Sequence, residues 1–291
     1  MDTTASAPPL DAAPTAVAAR RIYRHRLPVR LMHWINVVCL TILLGSGLNI
    51  FNAHPALYWG DDSVTVKPWL SMRAENTPAG PVGKTRFAGT DFTTTGVLGL
   101  STSPDSDAAM ARAFPWWATI PGGQWLAMAR HWHFFFAWIF VINGILYVLY
   151  TIFSKHLKRD LVPTRDELKN IGRSIVDHLK FKHPTGDAAT RYNVLQSLTY
   201  LIVVFGLVPL LIVAGLAMSP RLDAMLPGWV ELLGGRQSAR TLHFLAAFGI
   251  VLFVLVHVFE VFVAGVWNEM RSMVTGWYVL PREHVERKDS R

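Results

Sequence analysis

Four long apolar runs, separated by polar and charge-bearing segments, dominate the chain. They extend over about 29–51, 124–153, 195–218 and 241–267. Each matches or exceeds the roughly 20 residues that a helix needs to cross a hydrocarbon layer. Charges stop at the edges of the runs. In the second, the only strongly polar side chains beyond His133 are Asn143 and hydroxyls. In the fourth, only His257 and Glu260 interrupt the apolar sequence between Leu245 and Val266. The pattern predicts an all-α integral membrane protein, a four-transmembrane-helix bundle over residues 29–267. A disordered tail of residues 1–28 is expected before it and a tail of residues 268–291 after it. Long connections cover 52–123 and 154–194.

Composition agrees with this reading: 51% of the residues are hydrophobic and only 16% charged, against about a quarter charged in an ordinary soluble domain. Orientation follows from Lys and Arg, which cytoplasmic segments retain during insertion. Arg20, Arg21, Arg24, Arg26 and Arg30 precede the first run, nine basic residues lie between Lys155 and Arg191, and the C-terminal tail is basic too. The 52–123 connection carries five basic and six acidic residues. Both termini and the 154–194 loop are therefore expected in the cytoplasm, and the 52–123 loop in the periplasm. The net charge of +8 is then a consequence of topology, and no nucleic-acid partner is expected.

The first nineteen residues, rich in Ala, Pro and Thr, lack the basic start and apolar centre of a cleaved signal and read as a disordered tail. Cys39 is the lone cysteine. This excludes an internal disulfide, and without a C-x-x-C-H motif it also excludes a covalently attached c-type haem. No nucleotide-binding glycine signature and no nucleophile elbow occur.

The candidate chemistry lies in histidines. His243 and His257 are fourteen residues apart in HFLAAFGIVLFVLVH, almost four whole helical turns, which puts both on one face about 21 Å apart along the axis. Two stacked haems would need that spacing. His33 lies about one turn inside the first helix at its cytoplasmic end, and His133 lies near the periplasmic start of the second. Since the fourth helix runs inward, depth pairs His33 with His257 and His133 with His243. Two neutral imidazoles on opposite sides of a porphyrin fill both axial positions of its iron, which suits electron transfer and leaves no substrate position. His131 is a rival to His133, two residues away and about 200° around the helix; His133 lies deeper. His54, just past the first helix, is open to a propionate contact or to solvent.

Gly45, Gly47, Gly144 and Gly249 lie on these helices, where a missing side chain lets a flat macrocycle, or simply another helix, come close. Arg30, Arg130 and Arg240 stand at helix mouths where a guanidinium can pair with a haem propionate or snorkel to the interface.

The segments RLMHW, ARHWHFFFAW, RYNVLQ, HFLAAFGIVLFVLVH and WNEMRSMVTG resemble the bacterial cytochrome b561-like family. That group includes the gamma subunit of formate dehydrogenase, the cytochrome b of nickel-iron hydrogenase and the membrane subunit of thiosulfate reductase. The likeness covers roughly two thirds of the chain. It implies two non-covalent b haems, with His33 and His257 holding the cytoplasmic-side one and His133 and His243 the periplasmic-side one. It also implies electron exchange between a periplasmic catalytic subunit, of molybdopterin oxidoreductase type, and the quinone pool of a bacterial inner membrane. By the same resemblance, Asn193 and Gln196 become candidates for hydrogen bonds to a quinone carbonyl, although Asn193 is equally placed to cap the third helix.

The 52–123 connection lies outside the resemblance. Its length and its aromatic pairs, Tyr58-Trp59 and Trp116-Trp117, suggest a structured lid or docking surface. Two rival functions remain: a stand-alone reductase or oxidase acting on a small periplasmic substrate, and a transporter that uses the histidines as proton relays.

Overall fold

A computed structural model describes residues 20–63, 67–103, 108–154, 162–179, 194–226 and 228–280 of the 291-residue chain. Within it, β1 (Arg21–Tyr23) leads into α1 (Leu27–Asn52), whose Pro28 occupies the first turn, where a missing N–H costs nothing. An insertion follows: β2 (Ala56–Leu57), β3 (Leu70–Thr77), β4 (Gly80–Phe87), β5 (Thr90–Thr93), β6 (Gly99–Thr102) and β7 (Ala109–Arg112). Then come α2 (Leu126–Phe153), α3 (Arg165–Lys169), α4 (Ile171–Leu179) and α5 (Val194–Ile202). A π-helical turn (Val203–Leu207) joins α5 to α6 (Val208–Ala217), and α7 (Pro220–Met225), α8 (Arg236–Thr275) and β8 (Trp277–Val279) complete the order.

Among the described residues, four helices are long and apolar enough to cross a membrane: Leu27–Asn52, Leu126–Phe153, Val194–Ala217 and Arg236–Thr275. α1 packs along α2, and α6 along α8. Small residues allow the second approach, since Ala214 and Ala217 of α6 and Ala239 and Ala246 of α8 are fully buried. Asn143 of α2 clamps the first pair, donating to the Met32 carbonyl at 2.9 Å and to Asn36 Oδ1 at 2.7 Å. An amide inside hydrocarbon needs such partners. Phe135, Trp138, Ile145 and Phe153 on α2, and Leu252, Leu255 and Phe262 on α8, stay exposed, as lipid-facing residues should.

The fold departs from the expected all-α architecture in the insertion. Residues 56–93 build a four-stranded antiparallel sheet, β2-β3-β4-β5, and β6 pairs with β7. The signal was alternation and turn chemistry: Phe87↔Thr90 is closed by Ala88-Gly89, both at positive φ, as a two-residue hairpin demands. The insertion is fastened to the bundle by an apolar cluster of Phe51, Leu57, Leu70, Met72, Ala113 and Phe114, against which Phe244 of α8 packs. It also caps α8. Asp61 Oδ1 accepts from the Arg236 amide at 2.8 Å, and the Gly60 carbonyl accepts from the Gln237 and Ser238 amides. These are first-turn donors that the helix cannot satisfy itself.

The ends also differ from simple tails. Residues 21–23, expected in a disordered segment, pair with β8, and the 154–194 connection contains α3, capped by a Thr164–Glu167 capping box, and α4. The fourth apolar helix continues past residue 267 to Thr275 through a break at Gly265 (φ 104°, ψ 84°), a conformation open to glycine. Residues 268–280, expected as tail, are thus helix and strand, held by Asn268 bonding both ways to Val279 and by an Arg24–Glu269 ion pair at 3.3 Å. The disordered reading of residues 1–19 and the tail beyond 280 lie outside the described residues.

Candidate haem-binding site

α8 presents His243 and His257 along one face, and each meets a histidine from another helix. The ring centroids of His33 and His257 are 6.3 Å apart at 69°, and those of His133 and His243 are 6.2 Å apart at 66°. A metal held by two imidazole nitrogens at about 2 Å each, with each centroid about 1 Å behind its nitrogen, sets the centroids about 6 Å apart. Each site offers two donors, and among the described residues no three of His, Cys, Asp and Glu converge. A protein-only zinc centre needs three or four ligands, whereas a porphyrin brings four of its own.

The local chemistry orients the rings of the pair nearer the insertion. Ser46 Oγ lies 2.6 Å from the Ile42 carbonyl, to which it donates, so at 3.1 Å it accepts from Nδ1 of His133. His243 Nδ1 is 2.8 Å from the Leu211 carbonyl, which can only accept. Both rings are therefore protonated on Nδ1, leaving Nε2 with a lone pair, the state that a metal ligand requires. At the other pair, Phe253 stacks on His257 at 5.9 Å and Trp34 lies edge-on to His33 at 5.5 Å.

His131 is exposed and turned away from His243, so His133 alone of the two faces the opposing ring. Gly47 borders that site: a Cβ there would lie 3.4 Å from the His133 ring. Gly249 has a different neighbour, because its Cβ would meet Leu207, the close helix packing that competed with a macrocycle contact. Gly45 receives the Ile120 side chain, and Gly144 has no neighbour within 4 Å. The sequence reading overlooked Gly215, whose Cβ would sit 3.1 Å from His243. It also overlooked Ser46; the small-residue stretches GSG and AGLA were the available signal.

Arg30 donates to the Val274 carbonyl, and its Nε is buried with no partner. That spare donor at the His33 end fits a carboxylate such as a haem propionate. Arg240 donates to the His54 carbonyl and lies over the Phe51 ring, and exposed Arg130 lies over Phe134. His54 is exposed and stacks on Tyr58; partial burial and then the Arg240 charge lower its pKa. Gln196 sits in the first turns of α5, half-buried, and Asn193 lies outside the described residues.

Four apolar helices holding two facing histidine pairs coincide with a relationship along the sequence. Residues 24–276 match the prokaryotic cytochrome b561 family. The chain belongs to the prokaryotic cytochrome b561 family. It is thus a multi-pass membrane protein that binds b-type haem and serves electron transport. It is also similar to the putative protein-methionine-sulfoxide reductase subunit YedZ1 of Azospira oryzae, at 34% identity over 154 residues, 53% of this chain and 74% of that relative.

Proposed function

We propose that this cytochrome is a di-haem electron-transfer subunit linking a periplasmic catalytic oxidoreductase, of molybdopterin-dependent type, to the quinone pool of a bacterial inner membrane. The observation that carries the reading is that one helix, α8, aims two histidines about 21 Å apart at histidines of two different helices, each pair at 6.2–6.3 Å. His33 with His257, and His133 with His243, would hold the two haems. Each haem, when bound, would supply a one-electron iron couple.

The residues around each pair hold the rings and exclude water. Ser46 and the Leu211 carbonyl keep Nε2 of His133 and His243 available, and Phe253 limits rotation of His257. Gln196 and Asn193 hold the quinone near the His33–His257 end, because an amide can donate to the quinone and accept from the quinol without changing charge. The basic flanks support a topology with both termini in the cytoplasm and the β-rich insertion in the periplasm. The relative, a putative protein-methionine-sulfoxide reductase subunit, supports a catalytic partner.

The test is purification of the tagged chain from native membranes. The expected result is two bis-imidazole b haems per chain and co-purification of a periplasmic subunit. A single haem per chain after growth with ample haem would overturn the di-haem assignment, and an apoprotein would overturn the cytochrome reading.

A further inference from the structure

Arg112, the last residue of β7, is an arginine buried to 2% exposure with no carboxylate in contact among the described residues. Its Nε donates to the Phe114 carbonyl at 2.7 Å, and its Nη2 donates to Thr119 Oγ1 at 3.0 Å and to the Gly122 carbonyl at 3.1 Å. Its Nη1 is buried and bonded to nothing. Desolvation lowers its pKa, as expected of a cation taken out of water without an anion. Three neutral acceptors fix the direction of the guanidinium and leave its charge uncompensated.

Phe114, which accepts from Arg112, also brings in a second unpartnered donor. Asn52, at the end of α1, accepts from the Phe114 amide through Oδ1 at 2.8 Å, while its Nδ2 is buried and unpartnered. Asn52 and Arg112 thus grip the two sides of Phe114 and each keeps an N–H in reserve. The segment after Arg112 lies on the end of α1 that serves the His133 site. Asn49 Nδ2 donates to the Pro121 and Gly123 carbonyls at 2.9 Å, and Ile120 fills the notch at Gly45. Asn49 is one turn from Ser46, the partner of His133 Nδ1. Phe114 stacks toward Phe248 of α8, the helix of His243.

We infer that Arg112 Nη1 and Asn52 Nδ2 form a carboxylate site for a propionate of the haem held by His133 and His243, so that the β-rich insertion is itself part of the cofactor pocket. A guanidinium with one free N–H and a neighbouring amide donor match a carboxylate's two oxygens. Propionates are the carboxylates that a haem carries at its edge, one turn or two from its axial ligands. A cation held against a propionate also favours the reduced, less positive iron, and so sets the potential of the haem that faces the partner.

This rests on the ligand reading of His133 and His243, and the experiment separates the two. Full-length wild type and Arg112→Gln are each reconstituted with haem b or with its dimethyl ester, which has no carboxylates, and both haem potentials are measured by spectropotentiometry. With haem b, Arg112→Gln lowers the reduced-to-oxidised ratio of the His133–His243 haem at fixed poise about tenfold, equal to about 59 mV for one electron. The other haem stays unchanged. Arg112→Gln also weakens haem b binding about tenfold and does not weaken ester binding, because only haem b offers the carboxylates that the guanidinium pairs with. Equal weakening of both cofactors, or no shift with haem b, overturns the inference. Asn52→Asp keeps the acceptor for the Phe114 amide and serves if Arg112→Gln does not fold. It weakens haem b binding about tenfold and spares ester binding; equal weakening of both overturns the assignment. Absence of a bis-imidazole spectrum from the wild type fails the ligand reading instead.

Discussion

His133 and His243 face each other at 6.2 Å from α2 and α8, and each leans its Nδ1 on a third element: Ser46 of α1 for one ring, the Leu211 carbonyl of α6 for the other. All four transmembrane helices or their close neighbours therefore meet at this one pair. Rings anchored this way lose little freedom when a ligand bond forms, since their orientation is already set.

Ser46→Ala removes the acceptor for His133 Nδ1 without adding bulk. The expected outcome is a 10- to 100-fold weaker hold on the haem nearer the insertion, the usual cost of losing such a support. Haem titration of the apoprotein, with the low-spin signals of the two haems followed separately, measures it.

His33→Ala should remove one of two haems and leave the signal of the His133–His243 site in place. His243→Ala should do the converse. Haem-to-protein stoichiometry combined with electron paramagnetic resonance distinguishes them, and loss of the same signal in both variants would show that the pairs are wrongly drawn.

Two glycines should respond unequally to a methyl group. At Gly215 a Cβ would lie 3.1 Å from His243, so Gly215→Ala must displace the ring and weaken its site. At Gly47 the distance to His133 is 3.4 Å, an ordinary contact, so Gly47→Ala should be nearly silent. The potentials of the two variants, compared with wild type, report the difference.

Asp91 contributes to the acid stability of the sheet. Hydrogen bonding to Arg86, with the charges of Arg86 and Arg73, holds its pKa at about 2. A depressed carboxylate stabilises the folded state above its ordinary value near 4. That contribution is lost as the pH falls toward 2. Asp91→Asn should remove the pH dependence of amide protection in β4 and β5 between pH 5 and 2, read by hydrogen exchange.

Gln196→Leu should slow quinol-dependent haem reduction and leave the absorption spectrum unchanged. Stopped-flow reduction by a quinol analogue measures it, and unaltered rates would take Gln196 out of the quinone pocket.

Much of this was legible along the chain because a membrane imposes a coarse code. Twenty apolar residues without charge have few alternatives to a spanning helix, and histidines inside such runs stand out against their neighbours. The spacing of His243 and His257 is set by helical rise alone. Depth pairing needed only the alternating direction of consecutive spans.

The azimuth of each side chain required the fold. His131 and His133 differ by rotation about α2, and only the packing of α1 and α8 decides which ring looks inward. Gly249 and Gly215 are equivalent in sequence terms, yet Leu207 approaches one and His243 the other. The insertion was the largest departure, because strands of two to eight residues in a Gly- and Thr-rich segment give a weak periodic signal and gain stability by packing on Phe51 and Phe244.

The sequence by itself determined the four spans, the spacing of the histidines on α8 and their partners by depth, since these follow from hydropathy and helix geometry. Only the tertiary structure decided which faces meet, that Ser46 and Leu211 orient the rings, and that Arg112 is buried with a guanidinium nitrogen left unpartnered. Ser46 and His133 stand 87 positions apart, and His33 and His257 lie on the first and last spans; no local rule of the backbone specifies such pairings.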